Sequence, residues 1–210
     1  MKSLAVIALL LGMTSLPAAD AEPPRARYVP VDGWSSAEQP EVHEEWFGSY
    51  LQAMGEPVLS QPESLGGFRQ RIRMLVVPGH GHPYAVRIDV TKSGMADVRV
   101  VRLEGSGDDP PPRIREQETF TLGPYEVGEV DRVIRAARLQ AAPRTVADKP
   151  DPPGYIYVCV HPCSYVVESV TEKSSYFVVR NECNVSPRFK KLVSEIDSLR
   201  RRVGPKLRLS

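Results

Sequence analysis

An α+β domain, an antiparallel sheet of about six strands with helices packed on one face, is what this sequence predicts. Three observations lead there. Several stretches alternate apolar and polar residues with period two, the pattern of half-buried strands. Others repeat apolar residues one helical turn apart. The connections between successive alternating stretches are too short for parallel crossovers, so those strands must pair antiparallel.

Taken in order, "EVHEEWFGSYLQAM" (41–54) places Val42, Trp46, Tyr50 and Met54 one turn apart and predicts a helix with one apolar side. "FRQRIRMLVV" (68–77) sets Phe68, Ile72, Met74 and Val76 against Arg69, Arg71 and Arg73, a strand. "YAVRIDV" (84–90) and "MADVRVVRLE" (95–104) continue the alternation, and "IREQETFTL" (114–122) predicts a fourth strand. "GPYEVGEVDRVIRAARL" (123–139) predicts a helix, with Pro124 in its first turn and Val127, Val130, Ile134 and Ala137 on one face. "YIYVCV" and "SYVVESV" lead into the turn "TEKSS", and "YFVVRNEC" returns. Ser186-Pro187 opens a last helix whose Phe189, Leu192, Ile196 and Leu199 share a side. Stacked prolines at 105–113 and 141–154 mark loops, because proline removes a ladder donor.

The ends set the organisation. Met1-Lys2, the apolar run over residues 4–16 and the small-x-small triplet Ala19-Asp20-Ala21 make residues 1–21 a secretory signal peptide, too short in its apolar core to span a bilayer. No cysteine precedes Cys159, which excludes a lipid anchor at the cleaved N-terminus. Residues 22–40, rich in proline, form a flexible arm. Residues 41–210 make a single α+β domain. The expected location is periplasmic or secreted, and no later segment is apolar enough to be transmembrane. Lys and Arg total 27 against 26 Asp and Glu. This balance, in an exported chain, speaks against a nucleic-acid partner. Acidic residues crowd positions 22–67 and basic ones dominate beyond residue 186, the pattern of solvated or mutually neutralising faces.

Two regions bear a resemblance. Trp46, Phe47, Leu51, Glu56, Pro57 and Leu59 fit a W-F-x-x-x-L-x-x-x-x-E-P-x-L segment, which precedes an Arg-containing strand pair. Glu168, Tyr176 and Arg180 fit a closing tail in which Tyr165 stands where a tryptophan is usual. The chain thereby resembles an uncharacterised family of small exported bacterial proteins. The resemblance implies architecture and no activity.

Three groups of residues carry candidate chemistry. Arg69, Arg71 and Arg73 share one strand face and Arg87 joins them from its neighbour, a surface whose guanidinium forks suit a carboxylate or phosphate. Cross-strand pairing with Asp89, Glu116 or Glu118 is the structural alternative. His80 and His82 in "PGHGHP" are two apart, and with His161 they form a candidate metal set. Gly79, Gly81 and Pro83 describe instead a tight strand-to-strand turn, and the turn is the better reading. "CVHPC" spaces Cys159 and Cys163 as in exported copper chaperones, but Ser164 stands where they carry proline and the surrounding pattern is not βαβ. A three-residue hairpin loop at 172–174 pairs positions summing to 346, which sets Cys163 opposite Cys183 and predicts a disulfide there, with Cys159 left over. A two-residue loop shifts that register by one. Neither a nucleophile beside a base nor a phosphate-binding glycine loop is present, and no cofactor is implied.

The expectation is a non-enzymatic envelope protein that binds an envelope partner or small anion on its arginine face. The alternative is a metal- or thiol-dependent protein using His80, His82 and the Cys159/Cys163 pair. Export is directly measurable. Exported material should have an intact mass corresponding to a start at Glu22, and retention of Met1 would remove the compartment assignment.

Overall fold

A computed structural model of the chain describes residues 27–30, 40–59, 62–105, 112–141 and 163–202. The expected signal peptide, most of the arm, the stretch "YIYVCV", Cys159 and His161 lie outside the described residues.

Six antiparallel strands form one sheet in the order β4-β3-β2-β1-β5-β6. They are β1 (Gln70–Val77), β2 (Tyr84–Val90), β3 (Ala96–Glu104), β4 (Arg113–Leu122), β5 (Ser164–Thr171) and β6 (Ser175–Asn181). Strands β1 to β4 form a meander, and β5 returns to the free side of β1 after helix α3 (Pro124–Ala137). The α+β class and the strand number are those the alternation predicts.

One face of the sheet presents Ile72, Met74 and Val76 with Val86, Ile88, Val98, Val100, Val167 and Val178. Against it pack α3, through Val127, Val130, Val133 and Ile134, and α4 (Pro187–Arg202), through Phe189, Leu192, Ile196 and Leu199. Both helices begin with their own caps. The Glu126 carboxylate accepts the Gly123 N–H at 3.0 Å, and Ser186 Oγ accepts the Phe189 N–H at 3.2 Å.

Cover on one face only is corrected by the structure. A second core lies on the opposite face, where Leu75, Val77, Ala85, Val101, Leu103, Val166 and Phe177 meet Phe47, Tyr50, Leu51 and Met54 of the N-terminal helical segment. The reason is visible in β1, whose last six residues, "IRMLVV", are all buried and leave no face to expose.

The N-terminal segment is not one continuous helix. It runs as α1 (Pro40–His43), a π-helical turn (Glu44–Gly48) and α2 (Ser49–Ala53). The wider π turn rotates α2 relative to α1, so the expected stripe breaks. Val42 and Trp46 are exposed, and Phe47, Tyr50, Leu51 and Met54 form the buried side. The arm is also pinned where it is described. Both oxygens of Glu44 accept backbone N–H groups, from Tyr28 at 3.0 Å and from Val29 at 2.6 Å, and Val29 is buried. Residues 27–30 of the arm are thus tied to the helical segment.

The hairpin β5–β6 closes through a two-residue loop, with the Thr171 N–H donating to the Ser174 carbonyl at 2.8 Å. Val170 pairs with Ser175 and Ser164 with Asn181, so paired positions sum to 345. Glu182 donates its N–H to the Cys163 carbonyl at 2.9 Å, and Glu182 rather than Cys183 stands opposite Cys163. A one-residue slip turns a side chain to the other face. Cys163 accordingly carries a free thiol, and the expected Cys163–Cys183 disulfide is absent.

The two-sided cover makes a quantitative prediction. Leu51 is fully buried in the second core, so Leu51→Ala should cost about 2–5 kcal/mol in urea denaturation. A loss under about 0.5 kcal/mol would mean that the N-terminal segment does not pack on this face.

Candidate functional site

The predicted arginine face exists, and it is covered. Register places Arg73, Arg87 and Arg99 directly opposite one another on β1, β2 and β3. Three cations in a cross-strand row repel, so acceptors must be brought to them. The N-terminal segment supplies the central one. Gly55 adopts φ +63° after α2, its N–H bonds to the Gln52 carbonyl at 3.0 Å, and the Glu56 N–H bonds to the Leu51 carbonyl at 2.9 Å. This left-handed exit, easy for glycine, drops the Glu56 side chain onto the sheet. Its carboxylate takes a hydrogen bond from Arg87 at 2.9 Å and one from Arg99, and lies 3.6 Å from Arg73.

The neighbouring acceptors complete the network. Arg73 donates through Nε to Glu168 at 2.6 Å and through NH1 to the Pro57 carbonyl at 2.6 Å. Burial holds the Glu168 carboxyl above its ordinary value, with the Arg73 guanidinium opposing. Asp89 bridges Arg71 Nε and Arg87 Nε, both at 2.9 Å. Arg99 also donates to the Met54 carbonyl at 2.8 Å, at the end of α2. Arg73 has no solvent exposure, and the side chains of Arg71, Arg87 and Arg99 are 13–15% exposed. Arg69 leaves the group. It precedes β1 and pairs with Asp131 of α3 at 3.3 Å. Arg99, which sequence reasoning misses, takes its place; once β2 and β3 are aligned, Arg87 opposite Arg99 reveals it.

A second concentration of polar groups lies at the other side of the sheet, in a cavity of about 660 Å³ between strand ends and α4. Its sheet wall is another row of directly opposed residues, Arg102, Tyr84, Val76 and Tyr165. Helix α4 contributes Lys190, Val193, Ser194, Asp197 and Arg200. Tyr84 donates its hydroxyl to Asp197 Oδ1 at 2.9 Å, Arg200 Nε donates to the same oxygen at 2.7 Å, and the Arg200 guanidinium lies 4.8 Å over the Tyr84 ring. Burial opposes the charge on Asp197, but hydrogen bonds from Arg200 and Tyr84 hold its carboxyl below the ordinary value. Burial and the adjacent Asp197 carboxylate push the Tyr84 hydroxyl up, so it stays a donor.

The histidines and Cys163 border this same cavity. His80 and His82 sit in the β1–β2 turn, as the glycine and proline spacing predicts, with Gly81 at φ +112°. His82 faces two donors, the Gly105 N–H at 3.4 Å from Nδ1 and Arg115 NH1 at 3.2 Å from Nε2. A neutral ring has one acceptor nitrogen, so its lone pair is already engaged. The Cys163 thiol is pushed up, first by burial and then by the Glu182 carboxylate, which favours the protonated, unreactive form. Among the described residues no group of three or more His, Cys, Asp or Glu is placed to hold a metal ion, and His161 is outside them.

Comparison with known protein families and with curated proteins gives no match for the chain.

The arginine row can be tested through its central acceptor. Glu56→Ala leaves three facing guanidinium groups short of a carboxylate and should destabilise by about 3–5 kcal/mol in denaturant titration. A change below about 1 kcal/mol would show that the row does not depend on this residue.

Proposed function

We propose that the chain is an exported, non-enzymatic binding domain of the bacterial envelope and that its ligand is a small anion. The observation that carries this reading is the cavity beside α4. It combines an apolar wall with a few converging polar groups, the usual make-up of a small-molecule site. The four arginines that the sequence offers for this role, Arg69, Arg71, Arg73 and Arg87, are occupied by the protein's own acceptors, which leaves the cavity as the candidate. Among the described residues no helix is long and apolar enough to cross a membrane. The compartment reading stands on the N-terminal sequence, and the resemblance to small exported proteins agrees with it.

One observation favours the metal- or thiol-dependent alternative: His80, His82 and Cys163 border a single cavity. Against it stand the engaged ring of His82 and the protonated thiol. Protein isolated from the periplasm decides between the two by native mass spectrometry and metal analysis. The proposal expects a non-covalently held small anion and no stoichiometric metal. Stoichiometric zinc or copper, lost in the His80→Asn/His82→Asn double variant, would replace it with the metal reading.

A further inference from the structure

Arg102 differs from the buried arginines Arg73 and Arg200. Arg73 has a carboxylate oxygen 2.6 Å from its Nε, and Arg200 has one at 2.7 Å. Arg102 is as well buried, with its side chain 4% exposed, yet its Nε has no hydrogen-bond partner among the described residues. The carboxylate closest in register, Glu116 on β4, lies 3.9 Å from NH1, beyond hydrogen-bond length. Glu116 Oε2 is likewise buried and without a hydrogen-bond partner among the described residues. A guanidinium and a carboxylate thus stand side by side in the fold without closing into a bond, and the guanidinium lines the cavity.

The cavity's other groups narrow what can complete this site. Arg102, Lys190 and Arg200 face Glu182 and Asp197, which leaves one net positive charge with the histidines neutral. Asp197 already accepts from Tyr84 and Arg200, and Glu182 accepts the Cys163 N–H at 3.2 Å. A doubly charged group would meet those two fixed carboxylates, whereas a single carboxylate matches both the net charge and the guanidinium fork. Beside the uncharged polar groups of His80, His82, Cys163 and Ser194, the cavity has apolar surface from the rings of Tyr84 and Tyr165 with Val185 and Val193.

We propose that the cavity binds a small monocarboxylate with an apolar body, its carboxylate taken by Arg102 and its body lying on Tyr84, Tyr165 and Val193. Glu116 is the resident competitor for Arg102, and the ligand displaces it. This inference rests on reading the chain as a binding domain and names the class of its ligand.

Calorimetry on the mature protein tests it with octanoate, 3-phenylpropionate, octanol, octyl phosphate and inorganic phosphate. The carboxylates should bind and octanol should not. Glu116→Gln should tighten octanoate binding several-fold by removing the competitor. Arg102→Met should weaken it by at least about tenfold, the value of one charged hydrogen bond. Because Arg102→Met alters a buried position, Ser194→Phe on the exposed side of α4 provides a second variant that fills the cavity and should also abolish binding. Octanol binding as well as octanoate, octyl phosphate preferred over octanoate, or Glu116→Gln leaving octanoate affinity unchanged would overturn the monocarboxylate assignment and leave the binding-domain reading in place. If no probe binds and the periplasmic protein carries no small molecule, both fall.

Discussion

The contact of Glu56 with Arg73, Arg87 and Arg99 is the constraint around which this fold is arranged. Antiparallel register puts the three arginines in one row, where directly opposed like charges are unfavourable. Within the sheet the row offers Glu168 of β5 opposite Arg73, which leaves Arg87 and Arg99 without a carboxylate at that level. A carboxylate delivered from above reaches all three. That requirement accounts for the glycine exit from α2, for the helical segment lying on this face, and for the arm held by Glu44 behind it. The apolar contacts of Phe47, Leu51 and Met54 supply most of the attraction, and Glu56 fixes where the segment sits.

Such a network is a poor source of net stability, since desolvating several charges offsets most of their mutual attraction. Its effect is on uniqueness. Shifting the helical segment by one turn, or β2 by one residue, would leave at least one guanidinium buried and unmet. Arg71 and Asp89 extend the same logic along the sheet, because Asp89 must lie between Arg71 and Arg87 to serve both. The face that looks from sequence like an open anionic-ligand surface is filled by the protein's own acidic residues.

The strands among the described residues, α3 and α4 are legible because each rests on local period and capping, and the structure has those strands and α3 within two residues of the expected bounds. The features that escape a sequence reading depend on distance along the chain. That Glu56 meets Arg73, Arg87 and Arg99 requires a tertiary contact that no periodicity encodes. The break in the first helix comes from a π turn, which shifts burial from Trp46 to Phe47 and Leu51. The cysteine pairing turns on one residue of loop length. "TEKSS" accommodates either a two- or a three-residue loop by composition, and the Thr171 hydroxyl, bonded to the Ser174 carbonyl at 3.2 Å and the Ser174 N–H at 3.1 Å, selects the shorter. The HGH turn is legible because glycine and proline constrain the backbone locally; that its histidines border a cavity with α4 is set only by the tertiary fold.

Arg99 and Arg102 show how the two faces of one strand acquire different roles. They lie three residues apart on β3 and therefore point to opposite faces. Arg99 meets a covering segment whose terminal carbonyl and carboxylate both accept from it. Arg102 shares a cavity with α4, whose lining carboxylate, Asp197, is already bound by Arg200 one turn away and by Tyr84. The helix thus brings its own cation with its anion, and Arg102 is left with Glu116 of β4, 3.9 Å from its NH1 and not closed into a hydrogen bond. The acceptors of the N-terminal segment close one face of β3, and the pairing inside α4 leaves an acceptor wanting on the other.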